Sequence, residues 1–334
     1  MRLPRRLLQR CARAMAALDA YEEEHMERLL RVGTCLAMCG YGAQVGALAA
    51  TARAFRADTQ LWGAHARHRG PEGRTALMYA ARMGNAPRII FLLERGADVE
   101  AVDTVTEKTA LMRACKAGHC EAARLLVERG GANVNSAQAG DGFTALMYAS
   151  KKGHLETVRF LAERGGANVN AAQTDDGYTA LMWASQNGRL KTVRFLVERG
   201  GADVNAATST DGFTALMWAS QNGHLETARF LVERGGANVN AARTTDGMTA
   251  LIYACQDGHL EIARFLVERG GAYVNAVCTD NGLTALMFAS GFGHLETVRL
   301  LLQHGADRHA LSHAGETAHD LASDHPLVQA ALLA

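Results

Sequence analysis

The sequence predicts an all-α solenoid. Short helix-turn-helix units stack in one direction, each ending in a β-hairpin finger, behind a small helical N-terminal region. Three observations carry this. The segment Thr-Ala-Leu-Met recurs at Thr144, Thr179, Thr214 and Thr284, with Thr-Ala-Leu-Ile at Thr249 and earlier copies at Thr75 and Thr109. The spacing is 34 residues, then 35 five times, then 33 to a degenerate copy at Thr317. A fixed period of this size marks a repeat array. Finally, the helices implied by one unit are too short to stand alone, so neighbouring units must cover each other's apolar faces.

One unit reads as follows. Asp141-Gly142 supplies a tight turn, and Thr144 is a helix N-cap. A first helix over 145–152 stops at Gly153, a residue suited to a left-handed C-terminal cap. His154 opens a second helix, in which Leu155, Val158, Leu161 and Ala162 form one apolar stripe. Gly165-Gly166 ends it, and Val169 leads into the finger. Eight such units fill residues 71–334, the last of them, 315–334, being an atypical cap. His309, His313, His319 and His325 fit the solvated surface of that end.

This pattern resembles the ankyrin repeat. The family's Thr-Pro-Leu-His-x-Ala-Ala stands here as Thr-Ala-Leu-Met-Tyr-Ala-Ser. Its other marks appear as Gly-His-Leu-Glu, Val-Arg-Phe-Leu and Gly-Ala-Asn-Val-Asn-Ala. Pro-His is replaced by Ala-Met, which predicts lost hydrogen bonds at the start of each first helix. The family period is about 33 residues. The extra glycine of Gly-Gly and an extra finger residue predict longer, looser fingers.

The resemblance implies a protein-binding scaffold, with the first helices and the fingers lining a concave groove. The residues before each Thr are Phe143, Tyr178, Phe213 and Met248. The aromatic position of the first helix carries Tyr148, Trp183, Trp218, Tyr253 and Phe288. The most variable positions are Lys151, Lys152, Gln186, Asn187, Gln221, Asn222, Gln256, Asp257 and Phe292. All of these are candidate partner contacts, since an aromatic groove with polar neighbours suits a protein interface. The competing reading has the aromatics, Trp183 and Trp218 above all, merely packing between first helices. The polar tips Thr208-Ser209-Thr210 and Arg243-Thr244-Thr245 are candidates for choosing the partner.

Residues 1–70 carry no repeat and divide into an Arg-rich helix or tail over 1–20 and a helical module over 21–70. They hold eleven arginines, no lysine and six acids, a local charge of +5 in a chain of net +1. The first eighteen residues read as an Arg-rich amphipathic helix; a mitochondrial transit peptide is the less favoured alternative, because serine is absent and Glu22-Glu23-Glu24 follows. Residues 45–62 resemble the second half of an F-box at Leu48, Phe55, Asp58, Leu61 and Trp62. The opening Leu-Pro of that family is missing before Leu29. The preferred reading is a helical cap over the first repeat. The alternative makes Leu48, Phe55, Leu61 and Trp62 an adaptor-binding surface and the chain a substrate receptor of a cullin-type ubiquitin ligase.

Other function classes find little support. Net charge near zero and the lack of an aromatic-interleaved basic stripe argue against nucleic acid. No apolar run reaches the roughly 18 residues that span a bilayer. The seven cysteines include no Cys-x-x-Cys pair, so neither a disulfide framework nor a structural zinc is expected. The histidines His119, His154, His224, His259 and His294 lie one per unit, too far apart to converge on a metal, and are read as inter-repeat hydrogen bonders. Glu163-Arg164, Glu198-Arg199, Glu233-Arg234 and Glu268-Arg269 are read as solvated ion ladders. No phosphate loop or nucleophile motif occurs. The expectation is a non-enzymatic, cofactor-free monomer in the cytoplasm or nucleus, binding one or more proteins.

Overall fold

The computed structural model describes residue 69 and residues 71–334. The readings of the Arg-rich start, of the 21–70 module apart from Arg69, and of Leu48, Phe55, Leu61 and Trp62 fall outside the described residues. Eight helix pairs follow one another. Unit one pairs α1 (Ala76–Arg82) with α2 (Ala86–Glu94), and unit two pairs α3 (Ala110–Ala117) with α4 (Cys120–Glu128). Units three and four hold α5 (Ala145–Lys152), α6 (Leu155–Glu163), α7 (Ala180–Gln186) and α8 (Leu190–Glu198). Units five and six hold α9 (Ala215–Gln221), α10 (Leu225–Glu233), α11 (Ala250–Gln256) and α12 (Leu260–Glu268). Units seven and eight hold α13 (Ala285–Gly291), α14 (Leu295–Gln303), α15 (Ala318–Leu321) and α16 (Pro326–Leu333).

Each first helix begins at its threonine, whose hydroxyl accepts from the backbone N–H three residues on, at 3.3 Å for Thr144 and Met147. The methionine that replaces the family's histidine partly restores the reciprocal bond. The amides of Thr75, Thr144 and Thr284 donate weakly to the Sδ of Met78, Met147 and Met287 at 3.4–3.5 Å. In unit eight Asp320 makes the same bond properly, accepting from the Thr317 amide at 2.8 Å.

First helices pack on first helices of both neighbours and on their own second helix, while second helices touch the next second helix. The core is therefore a continuous sheet of small and branched residues between two helical layers. In unit four Leu181, Met182, Ala184, Val193 and Leu196 are all buried. Alanine recurs where first helices press together, which lets them approach closely.

Three polar ladders tie one unit to the next. In the first, Asn135 donates through Nδ2 to Gly166 O at 3.0 Å and accepts through Oδ1 from the Asn168 amide at 2.7 Å. Asn170, Asn205, Asn240 and Asn275 repeat the pair of bonds. In the second, the Nε2 of His224 bonds Gln186 O at 3.0 Å, as do His154, His259, His294 and His325 one unit back. Arg189, which interrupts the histidines, donates its Nε–H to Lys151 O at 3.4 Å and fills the same role. Gly188 shows how tight this seam is: at φ +63 it is left-handed, and a Cβ there would lie 2.6 Å from His224 Nδ1.

The third ladder runs along the fingers. The Ser209 amide donates to Asp176 O at 3.0 Å, Thr244 to Asp211 O at 2.9 Å and Thr279 to Asp246 O at 2.8 Å. Within a finger, the amide at 143 donates to Asp141 Oδ1 at 3.0 Å and the amide at 138 to Phe143 O at 3.0 Å. Among the described residues six of the eight fingers, all but those of units two and eight, are closed by an isolated bridge, such as Ala172 with Thr179, rather than by a continuous hairpin ladder. The extra residue thus lengthens the finger without loosening it, because the turn and the cross-unit bond hold it at both ends.

Candidate functional site

The finger-first-helix edge carries one aromatic column. Because the residue before Thr and the residue four after it sit on the same side, each unit contributes two rings. They interleave with those of the next unit as Tyr148, Phe143, Trp183, Tyr178, Trp218, Phe213 and Tyr253. Successive centroids lie 4.2, 5.2, 5.0, 5.4, 4.2 and 5.0 Å apart, all in tilted pairs. Such contacts add roughly 0.5–1.5 kcal/mol each beyond area burial.

The polar ends of the rings are tethered ten residues upstream. Tyr148 Oη donates to Gln138 Oε1 at 2.7 Å, and Trp183 Nε1 donates to Gln173 Oε1 at 2.8 Å. In unit six the polarity reverses, and Arg243 Nη1 donates to Tyr253 Oη at 2.9 Å. Arg243 also bridges Asp211 at 2.9 Å and Asp246 at 3.1 Å. Unit five breaks the series: Thr208 bonds Asp211 and the Phe213 amide, leaving the Trp218 indole N–H without an acceptor among the described residues.

Unit two carries charges where its neighbours carry rings. Lys108 takes the place of Phe143, Arg113 that of Tyr148 and Asp103 that of Gln138. Arg113 Nη2 donates to Asp103 Oδ2 at 2.7 Å, with the carboxylate fully buried and the guanidinium nearly so. Burial opposes ionisation of Asp103. Hydrogen bonds from the Thr106 hydroxyl and amide, from Arg113 and from the Lys108 amide outweigh it and hold the carboxyl well below the usual carboxylate range.

Ankyrin-repeat models match residues 47–138, 130–208 and 201–278, and a single-repeat model matches 281–313. The chain belongs to the ankyrin-repeat family. No curated protein matches it. Repeats of this family are generally modules for protein–protein interaction, and the all-helical stack is the ankyrin fold.

Within this ankyrin stack the candidate contacts separate into a face and its backing. Phe143, Tyr148, Phe213 and Tyr253 are buried, each less than a tenth exposed, and form the backing. Trp183, Trp218, Tyr178, Met248 and Phe288 are half-buried and present an edge to solvent. Lys151, Gln186, Asn187, Gln221 and Gln256 line the same edge half-exposed, while Lys152, Asn222, Asp257 and Phe292 are exposed. Asn187 and Asn222 are partly spent on Trp183 O and Trp218 O at 2.8 and 2.9 Å. The rings of Trp183 and Trp218 are thus packed by neighbouring rings on two sides and open on a third.

Two polar readings need correction. The tips 208–210 and 243–245 are not free for selection throughout, since Thr208 is buried and Arg243 is tied to two aspartates and a tyrosine. Among the described residues Glu163 and Arg164 and their equivalents do not pair with each other, although Glu268 joins the ladder through Arg264 at 3.5 Å, an i, i+4 pair. Adjacent residues on a helix diverge, and the pairs form instead at i, i+3, as in Glu156–Arg159 at 3.6 Å and Glu296–Arg299 at 2.8 Å. Arg124, Arg159, Arg194 and Arg229 also lie over the next unit's ring, Arg159 over Phe195 at 5.8 Å. Among the described residues no group of His, Cys, Asp and Glu is arranged to hold a metal, and no helix is long and apolar enough to cross a membrane. Burial pushes the Cys278 thiol up to about 12 and those of Cys115 and Cys255 higher still.

Proposed function

We propose that the protein is a scaffold that captures a partner protein along the concave edge of its ankyrin stack. The observation that carries this is the pair Trp183 and Trp218. Each is half-exposed, yet each is immobilised between two further rings. Interface hot spots have this character: rigid aromatic area, little side-chain entropy left to lose, and a polar rim. Gln186, Asn187, Gln221 and Asn222 supply the rim. The Trp183→Ala, Trp218→Ala double variant should weaken partner binding by about 2 kcal/mol or more. Arg194→Ala with Arg229→Ala, on the opposite face, should do much less. A greater loss from the arginine pair would refute the groove.

The second reading, a ligase substrate receptor, depends on residues 29–62 docking an adaptor. The repeat match that begins at residue 47 runs through Leu48, Phe55, Leu61 and Trp62. It supports assigning these residues to the edge of the repeat array, and so favours the cap.

A further inference from the structure

The chain has only five lysines, against thirty arginines, and four of the five, Lys108, Lys116, Lys151 and Lys152, belong to the first-helix edge of units two and three. Five arginines of the second helices, Arg124, Arg159, Arg229, Arg264 and Arg299, are paired with glutamates. The lysines are not: among the described residues none has an ion-pair partner. Their neighbours are rings. Lys108 and Lys116 Nζ lie 5.5 and 5.8 Å from the Tyr148 centroid, and Lys151 Nζ lies 3.7 Å from that of Trp183 and 5.7 Å from that of Phe143.

We propose that this lysine cluster and the adjoining Trp183 bind an extended acidic segment of the partner protein. The inference rests on the groove reading above and names the chemistry of one end of it. The nearby acids are engaged elsewhere: Asp103 is paired with Arg113, and Glu107 is turned to the Gly140 amide, from which it accepts at 2.9 Å, and makes no ion pair among the described residues. Asp141 is the one acid left facing Lys108 and Lys151. Burial, and then neighbouring lysines, hold Lys108 and Lys151 below the ordinary lysine value, so a bound carboxylate relieves repulsion already present.

Geometry narrows the segment. Helices of adjacent units pack about 8–10 Å apart, and an extended chain advances about 3.3 Å per residue. Carboxylates about three residues apart therefore meet unit two and unit three in turn. Beyond Trp183 the edge carries Gln186, Asn187, Gln221 and Asn222, while the fingers carry Asp175, Asp176, Asp211 and Asp246. A continuous polyanion such as a nucleic-acid strand would be repelled there. The acidic stretch must be short and followed by neutral or apolar residues.

The low lysine count supplies the test. Reductive methylation of the full chain with carbon-13 formaldehyde labels all five lysines and keeps their charge. The probe is a ten-residue peptide, Asp-Glu-Gly-Asp-Glu followed by Leu-Gly-Ser-Leu-Gly. We expect it to shift the signals of Lys108, Lys116, Lys151 and Lys152 and to leave Lys191, on a second helix, unmoved. In fluorescence anisotropy, Lys116→Glu with Lys151→Glu should weaken peptide binding at least tenfold. Arg194→Glu with Arg229→Glu, the same charge change on the other face, should alter it less than twofold. Equal shifts at Lys191, an unaltered affinity in the lysine variant, or tighter binding of a single-stranded oligonucleotide of equal charge would each overturn the proposal. If the peptide fails to bind while partner capture still depends on Trp183 and Trp218, the acidic-segment proposal falls and the groove stands. If capture ignores the Trp pair, the groove itself falls.

Discussion

The ion pair in unit two allows a quantitative test of how this edge is built. Asp103 is fully buried and accepts from the Val105 and Thr106 amides at 3.2 and 2.6 Å, the Thr106 hydroxyl at 2.7 Å, the Lys108 amide at 3.1 Å and Arg113 Nη2 at 2.7 Å. Asp103→Ala leaves the loop amides near water, which can serve them, but strands a guanidinium only 8% exposed. Removing one partner of a buried pair costs roughly 3–5 kcal/mol. We expect a loss of about 4 kcal/mol, confined to units one to three, because each unit leans only on its neighbours. Replacing both partners by apolar residues, Asp103→Leu with Arg113→Met, should lose less than the single variant. Urea unfolding with amide exchange resolved by unit reads both. The sign with pH follows from the depressed carboxyl. Its contribution is complete above the unfolded value of about 3.9, and it disappears as pH falls below that towards the folded value, so wild type and Asp103→Ala should converge in acid. A single variant losing less than about 1 kcal/mol, or a double variant worse than the single, would refute the reasoning.

Two further outcomes follow from burial. Among the described residues the buried hydroxyls of Ser185 and Ser220 have no partner; Ser185→Ala with Ser220→Ala should stabilise the stack by about 1 kcal/mol per site in urea unfolding, and a destabilised protein would contradict this. If the 21–70 module caps the first repeat, Leu48→Ala with Trp62→Ala should make the N-terminal units melt early with no adaptor lost. Loss of a co-purifying cullin-ligase adaptor at unchanged melting temperature would instead establish the receptor reading.

Much of the architecture could be read from the chain before any coordinates. The threonine caps, the glycine stops and the 35-residue step each have a local physical cause, and the spacing of His154, His224, His259 and His294 already points to inter-repeat bonds; His325, which reads as a solvated residue of the cap, makes the same bond to Gly291 O. What escaped was relational. Phe143 looks like a groove residue until its neighbour one unit on, Trp183, is seen to cover it. Asp103 and Arg113 stand at the positions of Gln138 and Tyr148, so their pairing was open to a unit-by-unit alignment, but only if unit two was compared with the rest. Asn135 passed as part of a family signature; its two bonds join different units and have no expression within one. Thr208 and Arg243 seemed free because loop tips are usually solvated, whereas each has partners supplied by tertiary packing.

The asparagine ladder has a consequence for how such a chain changes over generations. Asn135, Asn170, Asn205, Asn240 and Asn275 offer the same donor and the same acceptor to whatever follows, and each following unit answers with the same carbonyl and amide. A unit copied or lost whole by unequal recombination would find matching partners on both sides. Length can then drift without a compensating mutation at the new junction. The rings and charges along the groove are free to diverge afterwards, one unit at a time.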